Sequence, residues 1–84
     1  MEVADLLKER KTTHGDFGTN AMISQKLKRL FREQPGYEML NDVKRESLDM
    51  IALKLSRILS GQSDFKDHWA DASGYSRLAE NDCP

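Results

Sequence analysis

The sequence predicts an all-α fold, a small helical bundle of three main helices plus a short N-terminal one, and three observations lead there. Apolar residues recur at three- and four-residue spacing along each long segment. The segments are separated by helix breakers, with Gly15 and Gly18 in one gap, Pro35-Gly36 in the next and Gly61 in the last. The apolar fraction of 38% and the charged fraction of 32% lie in the range of globular domains.

Residues 2–10 form the short first helix, with Val3, Leu6 and Leu7 on one side. Residues 11–19 read as a loop, because two glycines and two threonines interrupt any helix there. Thr19 is the expected N-cap of a second helix over about 20–33. That helix carries the stripe Ile23, Leu27, Leu30 and Phe31, and Pro35-Gly36 ends it. The longest helix spans about 38–60 and stops at Gly61. Its residues Leu48, Ile51, Ala52, Leu55, Ile58 and Leu59 fall within an arc of roughly 120° at 100° per residue. Ser63 is the expected N-cap of the last helix, which runs to about residue 79, with Asp64 in its first turn. Phe65, Trp69, Ala72 and Ala79 make its core stripe, and His68, Asp71 and Tyr75 line one edge. Gly74 within this helix costs about 1 kcal/mol against alanine. It is there either for close approach of another group or as an uncorrected weakness. The expected packing places the 38–60 helix centrally, with the other two against it. Residues 1–80 form one domain and 81–84 a flexible tail.

Size and charge exclude some function classes. A chain of 84 residues buries only about 60–65% of its unfolded surface. Oligomerisation is a common remedy for that deficit, and a homo-oligomer is expected. The net charge of −1 argues against a dedicated nucleic-acid binder, which carries a basic excess. The single cysteine, Cys83, cannot form an internal disulfide or a zinc site, so the chain reads as cytoplasmic. The N-terminus lacks the basic-then-apolar order of a signal peptide. No apolar run approaches the length of a membrane span.

Several polar groups sit where a core needs none. The arc of the long helix opposite its leucine stripe holds Val43, Glu46, Asp49, Met50, Leu53 and Arg57. This mixture of charged and apolar residues points to a second contact surface, either a subunit interface or a polar pocket. Glu46 and Asp49, one turn apart, have the chemistry to share Mg²⁺. They would serve equally in an ion-pair network with Arg45 and Arg57. The loop His14-Gly15-Asp16-Phe17 offers an imidazole, a carboxylate and an aromatic ring beside a permissive glycine. Its plainer reading is an aspartate-centred turn pinned by a buried Phe17. Asp67 and Asp71 repel each other across one helical turn unless a cation such as Lys54 or Arg57 lies between them. Lys26, Lys28, Arg29 and Arg32 give the 20–33 helix a basic outer face, either solvated or contacting phosphate.

These segments together resemble a family of small phage and prophage proteins of unsettled function. The resemblance runs over roughly residues 7–80. It is carried by Glu9-Arg10, by His14-Gly15-Asp16-Phe17, by the run from Met50 to Ile58, and by Asp67-His68-Trp69 followed by Asp71, Gly74 and Tyr75. More distantly, the Glu46–Asp49 helix is similar to the second metal-binding helix of the all-α, MazG-like nucleoside-triphosphate pyrophosphohydrolases. The Lys54–Arg57 step and the Asp71–Tyr75 element resemble phage domains associated with nucleotide modification. The resemblance implies an oligomeric helical bundle that binds a nucleotide or phosphate ligand between helices or subunits. Glu46, Asp49 and Asp71 would hold Mg²⁺. Lys54 and Arg57 would contact phosphate, and His14, Asp16 and Tyr75 would complete the site. The Glu-x-x-Glu pair that those hydrolases carry on an earlier helix is absent, since the 20–33 helix has only Glu33. The alternative expectation is a non-enzymatic phage accessory protein that binds and inhibits a host protein or defence complex, as an anti-CRISPR inhibitor does. In that case the polar set is a structural network.

Overall fold

The computed structural model describes residues 2–14, 16–61 and 63–84, and the side chains of these except 9–14. The chain folds into α1 (Val3–His14), α2 (Phe17–Glu33), a 3₁₀ turn (Pro35–Met39), α3 (Asp42–Ser60) and α4 (Lys66–Asn81), with no strand among the described residues. α2 and α4 both pack on α3, and α1 adds sparse contacts to α2 and α3. The central placement of the longest helix therefore matches the expectation.

The helix boundaries differ from those expected, for local reasons. α1 continues to His14 rather than ending near residue 10. α2 starts at Phe17 because Asp16, not Thr19, is its cap. The Asp16 carboxylate accepts from the Thr19 backbone N–H at 3.1 Å and from the Thr19 hydroxyl at 3.3 Å. Phe17, expected to anchor the loop, is 84% exposed. Pro35 initiates the 3₁₀ turn, so α3 starts at Asp42, where the Asn41 side chain accepts from the Lys44 N–H at 3.0 Å. Arg45 fastens that turn rather than joining a network with Glu46 and Asp49. Its guanidinium donates to the Tyr37 carbonyl at 3.3 Å and lies 4.7 Å from the Tyr37 ring centroid. Ser63 does not cap α4; its carbonyl accepts the Trp69 indole N–H at 2.7 Å.

Four polar contacts fix the helix directions. The Ser60 hydroxyl donates to the buried Asn20 side chain, and Arg32 lies 3.8 Å from Asp49, so α2 runs antiparallel to α3. Lys54 meets Asp71 at 3.0 Å and Lys44 meets Asp82 at 3.0 Å, so α4 is antiparallel to α3 as well. Asp82 belongs to the supposed loose tail, yet Asn41 also donates to it at 2.7 Å, tying the end of α4 to the start of α3. The Asn41 amide and then Lys44 hold the Asp82 carboxyl below its ordinary value of 3.8.

The interior is thin. Among the described residues only Ala52 and Ile58 are buried apolar side chains, against the buried polar Asn20, Ser24, Ser47, Ser56 and His68. Small serines and alanines at the contacts bring the helices close but bury little apolar area. The inner face of α4 is Phe65, His68, Ala72, Tyr75 and Ala79. Trp69, expected in the core, is 54% exposed, and His68, expected at the edge, is 1% exposed. The His68 ring meets Phe65 edge-on, with centroids 4.7 Å apart at 75°.

Candidate functional site: a cleft between α3 and α4

A cleft of about 610 Å³ opens between the first half of α3 and the second half of α4. Val43 and Leu78 form its apolar walls, Tyr75 and Ser47 lie between them, and Asp42, Glu46 and Asp82 carry its negative charge. Val43 and Leu78 remain 47% and 57% exposed, so the walls are open to a partner. Two of the expected site residues, Glu46 and Tyr75, share this cleft. Leu78 was absent from the expected α4 stripe because it sits well to one side of the Phe65–Ala79 face. Val43 was visible in sequence as an apolar residue on the wrong arc of α3.

The other expected site residues lie elsewhere. Asp49 turns to α2, where one carboxylate oxygen lies 3.8 Å from Arg32 and the other is buried without a hydrogen-bond partner among the described residues. Asp71 turns to Lys54, whose side chain is only 12% exposed. Asp49 and Lys54 are five residues apart, about 140° around α3, so the two pairs form on different flanks of that helix. The three carboxylates expected to hold Mg²⁺ thus lie towards three different neighbours. Among the described residues no group of three His, Cys, Asp or Glu side chains is arranged to hold a metal ion. Arg57 is half-buried with a partner of its own. Asp16 caps α2 beside the Ser60 end of α3, about 21 Å along the axis from Glu46 at 1.5 Å per residue. The His14 side chain lies outside the described residues. On α2, Lys26 and Arg29 are exposed, while Arg32 is directed to Asp49.

Comparison with protein-family models, curated proteins and solved structures finds no match for this chain. No described helix is long and apolar enough to cross a membrane.

Proposed function

We propose that the chain is a non-enzymatic interaction protein that acts by binding another protein through the α3–α4 cleft. The observation that carries this reading is the chemistry of the cleft itself, with apolar walls at Val43 and Leu78 under a rim of Asp42 and Glu46. A phosphate ligand would meet like charge there, whereas an apolar side chain flanked by lysine or arginine finds both of its complements. The cations that a phosphate site would need are engaged within the chain, Lys54 by Asp71 and Lys44 by Asp82. In this reading Asp49, Asp71 and Lys54 are struts between helices. Given the resemblance to small phage proteins, the partner is a host protein that the chain occludes.

Two measurements separate this from the nucleotide reading. Thermal melts with millimolar nucleotide and Mg²⁺ are expected to be unchanged, because only ligand binding to the folded state raises stability. A nucleotide-dependent rise in Tm that Lys54→Met abolishes would overturn the proposal. Capture of a stoichiometric host protein is expected to survive Asp49→Asn and Asp71→Asn and to be lost in Val43→Lys and Leu78→Lys.

A further inference from the structure

The three main helices form an open layer rather than a closed bundle. α2 and α4 both pack on α3 but scarcely touch each other among the described residues, and α1 adds only sparse contacts to α2 and α3, which leaves much of two sides of α3 uncovered. At 100° per residue, one uncovered side carries Val43, Glu46 and Met50, and the other carries Leu48, Ile51, Leu55 and Leu59. Arg32 and Asp71 reach towards the first side through Asp49 and Lys54. On the helical wheels of α2 and α4, Leu30 and Trp69 lie on the edges away from those pairs, which places them beside the leucines.

This leucine side is unfinished. Leu30 is 51%, Leu59 69% and Trp69 54% exposed, and Leu48, Ile51 and Leu55 are only half-buried. Of the six stripe residues on α3, Ala52 and Ile58 are buried, and Leu48, Ile51, Leu55 and Leu59 are the ones the single chain fails to cover. The whole-chain area agrees. A compact monomer of 9.6 kDa exposes about 5,100 Å², and this chain exposes 6065 Å². The excess of about 1,000 Å² compares with the roughly 800 Å² that each partner buries in a stable interface. The radius of gyration, 14.3 Å against about 12 Å for a compact chain of this length, goes with an elongated shape of 45 × 25 × 22 Å.

We infer that a second copy of the chain covers the leucine side, same face to same face, in a two-fold symmetric dimer of two three-helix layers. The occupant is a second copy because the excess area, to which the exposed Val3, Leu6 and Leu7 of α1 also contribute, is large enough to hold one protomer's share of a dimer. A stripe of leucine and isoleucine also complements itself without needing an opposite charge. Lys44, on the same side of α3 one turn before Leu48, is already paired with Asp82 at 3.0 Å, so closure strands no lone cation there. The inference does not depend on what binds the cleft, which lies on the opposite side of the layer and stays open in the dimer.

Light scattering and sedimentation equilibrium on the full chain test this. The wild type is expected at twice 9.6 kDa at tens of micromolar. The double variant Leu30→Lys/Leu59→Lys is expected at half the wild-type mass, with its melt independent of concentration. Both positions are exposed in the single chain, so the substitutions spare its interior. Val43→Lys/Leu78→Lys is the control for the cleft side and is expected to stay dimeric. A monomeric wild type with a concentration-independent melt would overturn the inference, and would leave the leucine side to a different partner. So would a dimer that persists in Leu30→Lys/Leu59→Lys and dissociates in Val43→Lys/Leu78→Lys. Should the leucine-side variant not fold, the concentration dependence of the wild-type melt decides alone.

Discussion

Gly74 is exposed on α4, and a Cβ added there would meet nothing within 4 Å. Of the two readings its sequence position allows, close approach has no support in the fold, and the glycine is a weak point in the helix. Gly74→Ala is expected to stabilise the chain by about 1 kcal/mol. That corresponds to a rise of roughly 4–8 °C in Tm for a domain of this size, read by calorimetry. Asp82 makes the opposite kind of contribution. Its folded-state carboxyl is held below 3.8 by Asn41 and Lys44. The stability it adds is therefore complete above that value and is lost as pH falls through the lower folded value. Asp82→Asn is expected to lower Tm at pH 7 and to converge on the wild type in strong acid. Equal Tm differences at pH 7 and pH 2.5 would show that the carboxylate charge is not involved.

At the scale of elements, periodicity found the helices, and capping chemistry set their ends. The stripe on α3 is legible because leucine and isoleucine repeat at helical spacing from Leu48 to Leu59, about three turns. On α4 the spacing was legible but its phase was not. Trp69 outweighs His68 in hydrophobicity, yet Phe65, His68, Ala72, Tyr75 and Ala79 face inward because the two alanines let the helix lie close to α3. The start of α2 is not legible in sequence because Asp16 and Thr19 are both good caps, and the choice rests on which carboxylate or hydroxyl reaches the free N–H groups. The candidate site was half legible. Glu46 and Tyr75, both conspicuous as polar groups at core-like spacing, share a cleft. Asp49 and Asp71 have the same chemistry, but which flank of α3 each neighbour occupies is a tertiary fact. The Lys54–Asp71 contact is where this scale can be measured. A double-mutant cycle with Lys54→Met and Asp71→Asn is expected to give a coupling of about 0.5–1 kcal/mol, the upper end for a half-exposed pair. Zero coupling would remove the pair as a strut and return Lys54 to the pool of ligand-binding cations.

The whole molecule has two unlike sides. One presents the acid-rimmed cleft, and the other presents leucines that a single chain cannot cover. Among the described residues the core holds two buried apolar side chains, far from what holds an ordinary domain of 84 residues together. If the leucine side completes the core between two copies, unfolding and dissociation become one event. The midpoint of urea denaturation must then move with protein concentration, as it cannot for a monomer. A hundredfold change in concentration is worth about 2.7 kcal/mol in such an equilibrium. With a slope of roughly 2–3 kcal/mol/M in urea, the wild-type midpoint is expected to rise by about 1 M between 1 and 100 µM. Leu30→Lys/Leu59→Lys is expected to unfold at a lower midpoint that does not move. Ile58→Ala, which opens a cavity in the protomer itself, should lower the midpoint by a similar amount at every concentration while keeping the wild-type dependence. That contrast assigns the concentration dependence to the leucine side, because a lesion inside the layer weakens both states of association alike.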